Sequence, residues 1–405
     1  MPRLTIGSRR WIATLSAMTA VTALSIDMSL PAQPTLATVF DVSSETAQLT
    51  LSVFLVAFAA AQLVTGYLSD AVGRRPVLII GLALYAVSGL ACALSPSIEV
   101  LLACRVVQGF GAAAGPVVAR AMVRDTQPAH EAARLLSTML AVLAIAPMIA
   151  PQIGGWLLAL FDWHAIFFAL AIGGVILVTL AALLLPETHP PGRRLTGGLA
   201  GLARGFQEFF RTPGTRLPVF VTCATFAGQF AYIGDSPFVM IEGFDVSPRA
   251  YAYYFGGTAL ALMLGAFAGR AMLRAGRSPR LLLRVGTSLL LAGGILVVAG
   301  THGGLGLPGF YVPMLVYFLG VGLTSPSATA LAMEPTPHLA GTASAAVGSL
   351  QMTSGAIAGY LTTKIGGSSP IVFAYVVIAM ALLAFVLAFA ATRRAAATRT
   401  IQPPG

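Results

Sequence analysis

The eleven residues Gly66-Tyr67-Leu68-Ser69-Asp70-Ala71-Val72-Gly73-Arg74-Arg75-Pro76 return in altered form as Gly269-Arg270-Ala271-Met272-Leu273-Arg274-Ala275-Gly276-Arg277-Ser278-Pro279. Gly66, Gly73, Arg74 and Pro76 recur at an offset of 203 in a chain of 405 residues, so the two copies mark two like halves. Each copy is a basic hairpin set between long apolar runs. Working outward from them, runs of about 20 apolar residues, the length of a membrane crossing, are bounded by charge, Pro or Gly. They fall at 11–35, 47–68, 76–94, 98–122, 135–159, 163–185, 217–241, 250–272, 281–300, 308–332, 340–362 and 370–391. The only long polar connection, 186–216, begins Pro186-Glu187-Thr188-His189-Pro190-Pro191, carries five arginines and separates six spans from six.

Backbone groups in lipid must be satisfied internally, and the runs lack the ten-residue alternation of a barrel strand, so the spans read as helices. The expected fold is all-α and integral to the membrane, with twelve transmembrane helices in two pseudo-symmetric bundles. The bundles are 1–185 and 217–392, joined by a cytoplasmic linker, 186–216, and followed by a tail, 393–405. Like-oriented six-helix halves are what a rocking transporter of parallel repeats requires.

Composition agrees: 57% of the residues are hydrophobic and 9% charged, against roughly 25% charged in a soluble domain, which excludes a soluble protein. The net charge of +10 would suggest nucleic acid in a soluble protein, but its placement points to topology instead. Twenty-one of the 24 positive residues fall on one side of the alternating spans, two (Arg249 and Lys364) on the other, and Arg105 within a span. The positive-inside rule then puts both termini of a multi-pass protein in the cytoplasm. Arg3, Arg9 and Arg10 ahead of Trp11 imitate a signal peptide, and Ser8-Arg9-Arg10 resembles a twin-arginine signal, but this apolar run outlasts an h-region and eleven more follow. Cys92, Cys104 and Cys223 lie singly in apolar runs and read as buried small residues. No phosphate-binding G-x-x-x-x-G-K-[ST] loop or HExxH pair occurs, and the five histidines fall in or near loops, which disfavours ATP-driven transport and enzyme chemistry.

Three stretches of the first half resemble the major facilitator superfamily. Residues 66–75 are similar to its G-x-L-x-D-x-x-G-R-[RK] hairpin signature. Arg105-Val106-Val107-Gln108-Gly109-Phe110-Gly111-Ala112 is similar to its span-four motif R-x-x-Q-G-x-G-A. Ala146-Pro147-Met148-Ile149-Ala150-Pro151-Gln152-Ile153-Gly154-Gly155 is similar to its span-five antiporter motif, with Ala150 where many members have Gly. Asp27-Met28-Ser29-Leu30-Pro31-Ala32-Gln33-Pro34, Arg120-Ala121-Met122-Val123-Arg124-Asp125 and Ser236-Pro237-Phe238-Val239 further resemble the bicyclomycin/chloramphenicol-resistance (Bcr/CflA) drug:proton antiporters. That resemblance implies a twelve-helix exporter of small drugs driven by proton entry, in the cytoplasmic (inner) membrane of a bacterium. It needs no cofactor beyond the proton gradient, and a monomer in the bilayer is expected.

An ionisable residue inside a span costs several kcal/mol, which asks for a partner or a function. Asp27 lies about eight residues before the outer end of span one, ~12 Å down at 1.5 Å per residue, and Arg105 in span four lies at matching depth. Asp27 is the expected protonation site, its state following the hydration of the cavity and the approach of Arg105, so that proton and drug compete. A static Asp27–Arg105 pair ordering the bundle is the competing reading. Asp235, late in span seven and counted among the possible cavity residues, reads as a second acid, favouring cationic drugs or a second proton, or, by preference, as a solvated residue of the outer vestibule. In the cytoplasmic hairpin, Gly66 is expected to allow close packing and Gly73 a tight turn. Asp70 is expected to pair with Arg120, Arg124 or a helix N-terminus as a latch, with Arg74 and Arg75 beside it. Leu273 stands in place of the acid in the second half, so the latch should be asymmetric. Pro147, Ala150, Pro151, Gly154 and Gly155 are expected to bend span five and admit a neighbouring helix. Phe54, Phe58, Gln62, Gln229 and Tyr232 could line a substrate cavity, while Tyr251, Tyr253 and Tyr254 read as interfacial anchors. An endogenous metabolite (a sugar, dipeptide or cysteine-pathway product) is the alternative cargo, and a non-transporting sensor on the same fold the alternative of another class.

Overall fold

The computed structural model describes residues 4–190, 200–336 and 339–401, among which there are fifteen α-helices and no strand. The first half runs through α1 (Arg9–Asp27), α2 (Gln33–Val39), α3 (Ser44–Val72), α4 (Arg74–Ala93), α5 (Ile98–Ala112), α6 (Ala114–Thr126), α7 (Ala129–Leu160) and α8 (Trp163–Leu184). The second runs through α9 (Ala200–Arg211), α10 (Arg216–Pro237), α11 (Pro248–Arg274), α12 (Pro279–His302), α13 (Gly306–Met333), α14 (Ala340–Gly366) and α15 (Pro370–Ile401).

Prolines explain why one expected span becomes two helices. Pro31 has no N–H to return to the Asp27 carbonyl, so α1 ends at Asp27 and a 3₁₀ turn, Leu30–Ala32, leads into α2, carrying span one to Val39. Pro116 does the same to the Ala112 carbonyl between α5 and α6. In span seven, α10 passes at Pro237 into a π-helical turn, Phe238–Gly243. Pro147 and Pro151, by contrast, sit inside an uninterrupted α7.

Eleven of these helical stretches are long and apolar enough to cross a membrane among the described residues, and α14 is the twelfth expected span. It has the length, 27 residues, but its Gly, Ser and Thr content lowers its hydropathy. Those small residues serve helix contact rather than lipid: α14 packs on α10, and at Gly355 a Cβ would come within 2.9 Å of the Phe230 ring.

The chain folds as two compact units, Met1–Gly197 with Ser247–Gly256, and Gly198–Val246 with Gly257–Gly405. The same helix pairings occur in each. Span one meets span five (α1 with α7) as span seven meets span eleven (α10 with α14), and span three meets span six (α4 with α8) as span nine meets span twelve (α12 with α15). Two elements go beyond the sequence reading. The linker contains α9, whose buried Phe209 packs with Val219, Ala343, Ala346 and Val347 of the second unit. The expected tail continues α15 to Ile401.

Candidate functional site

Arg105 is fully buried on α5, and its three guanidinium nitrogens reach three places. Nε donates to the Thr50 carbonyl at 3.0 Å, Nη1 to Gln108 Oε1 at 2.7 Å and Nη2 to the Ser25 carbonyl at 3.2 Å. Its Cζ stands 4.4 Å above the Phe54 ring, a cation–π contact in a dry site. One side chain thus ties spans one, two and four, and a 2.7 Å contact between Ser25 Oγ and Tyr85 Oη adds span three. Glycine lets these helices come so close: a Cβ at Gly109 would lie 2.5 Å from the Phe54 carbonyl, and at Gly115 2.1 Å from the Met18 carbonyl.

Asp27 closes α1 at the helix break and is 4% exposed. Among the described residues no cation lies within 4.0 Å of it and no hydrogen bond faces it. Arg105, at matching depth, is therefore not its partner in this structure; the guanidinium points to carbonyls instead. The span-five motif meets the same place. A Cβ at Gly154 would lie 2.0 Å from the Met28 carbonyl, so α7 rests its backbone on the residue after Asp27. Ala150 is fully buried and Pro151 buried on the same face, Pro147 is half-buried, and Gly155 lies against Ala252 and Arg249 at the start of α11.

This contact makes a prediction. Gly154→Ala forces α7 away from the break, and overpacking of this kind costs about 1–3 kcal/mol. Gly173→Ala, at a membrane glycine whose added Cβ meets nothing within 4 Å, serves as control. Thermal unfolding in detergent should fall for the first and hold for the second, and equal behaviour of the two would contradict the contact.

The cytoplasmic hairpin is a closed network inside the first unit. Gly73 turns the chain at φ 118°, a conformation that favours glycine, and Gly276 repeats it in the second half at φ 77°. Arg74, 6% exposed, donates from Nε to Asp125 Oδ2 at 2.8 Å and from Nη1 to Ser69 Oγ at 2.8 Å, and it pairs with Asp70. Glu187 caps α4, accepting the Arg74 N–H at 3.0 Å and the Arg75 N–H at 3.1 Å, where a carboxylate suits the helix N-terminus. Arg75 donates to the Ala182 carbonyl.

Several expectations are corrected here. Asp70 pairs with Arg74 of its own hairpin, whereas Arg120 donates to the Pro116 carbonyl at 2.8 Å and Arg124 is exposed. A Cβ at Gly66 would meet only Val117 at 3.9 Å, so close packing does not require that glycine in this structure. Asp125 and Glu187 carry the network without having been assigned a part in it. Their signal was faint: an acid closing the Arg120–Asp125 stretch and one following Pro186. His189 lies beside the network, its backbone N–H donating to Glu187 Oε1 at 2.9 Å and its Nδ1 4.0 Å from Asp125 Oδ2. In the second half Arg277 is exposed, and the ion pair nearby is Arg280 with Glu334 at 3.8 Å.

The second unit changes the reading of Asp235. It is 0% exposed and both carboxyl oxygens are buried without a hydrogen-bond partner, so it is not a solvated vestibule residue. The helices α13, α14 and α15 packed around α10 exclude the water that its closeness to the span end suggested. Tyr232 is also fully buried, with the Phe318 ring 5.0 Å away, and Gln229 is half-buried. Phe54 serves Arg105 and stacks on Phe58 with ring centres 6.4 Å apart, while Gln62 is half-buried. Of the expected anchors, Tyr253 is 55% exposed, but Tyr251 is fully buried.

Two units with the same span pairings, each holding a buried carboxyl at the break of its first span, define a membrane transporter of repeated six-span halves. The chain belongs to the Major Facilitator Superfamily, whose family model matches residues 15–359. It is 36% identical over 82% of its length to an uncharacterized MFS-type transporter, YdgK, of Bacillus subtilis, covering 83% of that protein. It is 30% identical over 90% of its length to a bicyclomycin resistance protein homolog of Haemophilus influenzae, covering 92% of it. A chloramphenicol resistance protein of Pseudomonas aeruginosa is 32% identical over 82% of this chain and 79% of its own. Among solved structures, a peptide transporter in complex with sulfate is similar in fold, with a TM-score of 0.76 at 16% identity over 97% of this chain and 96% of its own.

Proposed function

We propose that the protein exports small amphiphilic drugs, of the bicyclomycin- and chloramphenicol-like kind, across the bacterial cytoplasmic membrane in exchange for protons. Both termini lie in the cytoplasm, the working unit is the monomer, and the proton gradient replaces any cofactor. The observation that carries this reading is Asp27, a carboxyl buried at a helix break with no cation or hydrogen bond to hold its charge. A proton neutralises it; when a drug and its water open the site, the proton leaves and antiport follows without a covalent step. The resistance names of the relatives support the cargo. Arg105 positions spans one, two and four around the acid, and the Arg74–Asp125–Glu187 network holds the cytoplasmic ends of spans two to four with the end of span six.

The test is uptake into inside-out vesicles energised by a proton gradient, screened with chloramphenicol, bicyclomycin and a cationic dye. Accumulation that collapses with a protonophore is expected for at least one of them. Absence of pH-coupled flux for the whole panel would overturn the reading.

A further inference from the structure

We propose that Asp235 is a second proton-carrying carboxyl, the second unit's counterpart of Asp27. The inference rests on the antiport reading and extends it to two protons per drug. It stands first on placement. Asp27 lies in the first span of the first half and Asp235 in the first span of the second. Asp27 is the last residue of α1, ahead of Pro31, and Asp235 lies two residues before the end of α10 at Pro237, where the helix passes into a π turn. Interruptions of this kind are frequent at functional sites. Each break also meets the fifth span of its own half: α7 reaches Met28 through Gly154, and Thr363 of α14 faces Asp235.

The surroundings choose a proton over an organic cation. Asp235 has no exposed surface, and neither carboxyl oxygen has a hydrogen-bond partner. The titratable or charged group facing it is Glu242, on the exposed side of the π turn, and α14 contributes the Thr363 hydroxyl. From α13 and α15, also packed on α10, no described charge is turned toward it. An ionised carboxylate shut off from solvent, with one hydroxyl beside it and no cation, is costly, and a proton removes that charge without needing space. An organic cation would need a cavity beside the oxygens.

The experiment uses the full chain in proteoliposomes with labelled chloramphenicol, a neutral probe, and ethidium, a cationic one. A pH step of one unit is imposed with the membrane potential clamped at zero. Each exchanged proton then supports a tenfold gradient, so the limiting chloramphenicol ratio is about 100 for two protons and about 10 for one. Wild type and Asp235→Glu should reach the higher ratio and Asp235→Asn the lower. A wild-type ratio near ten overturns the proposal by itself, even if the Asn variant does not reconstitute. Equal ratios in wild type and Asp235→Asn, with Asp27→Asn uncoupled, remove the second proton and leave the antiport reading standing. A wild type without any response to pH removes both. Loss of ethidium transport alone in Asp235→Asn makes the residue a reader of substrate charge and overturns the proton assignment.

Discussion

Asp27→Asn is expected to reduce gradient-driven drug accumulation to the level of protein-free vesicles and resistance to that of cells lacking the transporter. The amide keeps the size and shape of the acid but exchanges no proton. The side chain is 4% exposed and makes no ion pair or hydrogen bond among the described residues, so the substitution breaks no tertiary interaction. Yield in the membrane and thermal unfolding should therefore stay at wild-type values, which separates a lost proton from a lost fold. A static structural pair with Arg105 would behave otherwise, since removing one partner of a buried pair costs roughly 3–5 kcal/mol. Resistance unchanged at unchanged expression would sink Asp27 as the coupling residue.

Arg105→Lys, conservative in charge, is expected to behave as a severe lesion. The guanidinium sends three different nitrogens to the Thr50 carbonyl, the Ser25 carbonyl and Gln108 Oε1 while its plane lies over Phe54. A lysine ammonium is a compact, strongly hydrated point that cannot span those acceptors in a dry site. Losing two charge-assisted hydrogen bonds at roughly 1.5 kcal/mol each puts the destabilisation at about 3 kcal/mol. Transport should fall at least tenfold, because the Ser25 carbonyl that Arg105 holds lies two residues before Asp27 and fixes α1 beside spans two and four. The check is thermal unfolding in detergent alongside vesicle uptake, and a lysine variant matching wild type in both would show that charge alone matters there.

The network around Arg74 shows how far a motif carries a site. The glycine turn at Gly73 was readable, because a hairpin this short needs that backbone and its copy at Gly276 repeats it. The acid that holds Arg74 was not, since Asp125 is 51 residues away and Glu187, which caps the same helix, 113. Asp70, the obvious candidate, takes the local arginine four residues on. The amphipathic α9 has its signal in the sequence, with Phe206, Phe209 and Phe210 on one helical face, but the five arginines of the linker mask it.

What the sequence by itself determined is the number and class of the spans and their division into halves. These follow from hydropathy and chain order, properties of residues against a bilayer of nearly constant thickness. Depth is one coordinate, and contact needs a second, the angle around each helix. Tertiary packing alone supplied that angle, because it depends on where backbones approach without a Cβ, as Gly109, Gly115 and Gly154 allow. It turned Arg105 toward carbonyls and away from an acid at its own level. It also sealed Asp235 behind α14, where counting residues to the end of the span had left it in water.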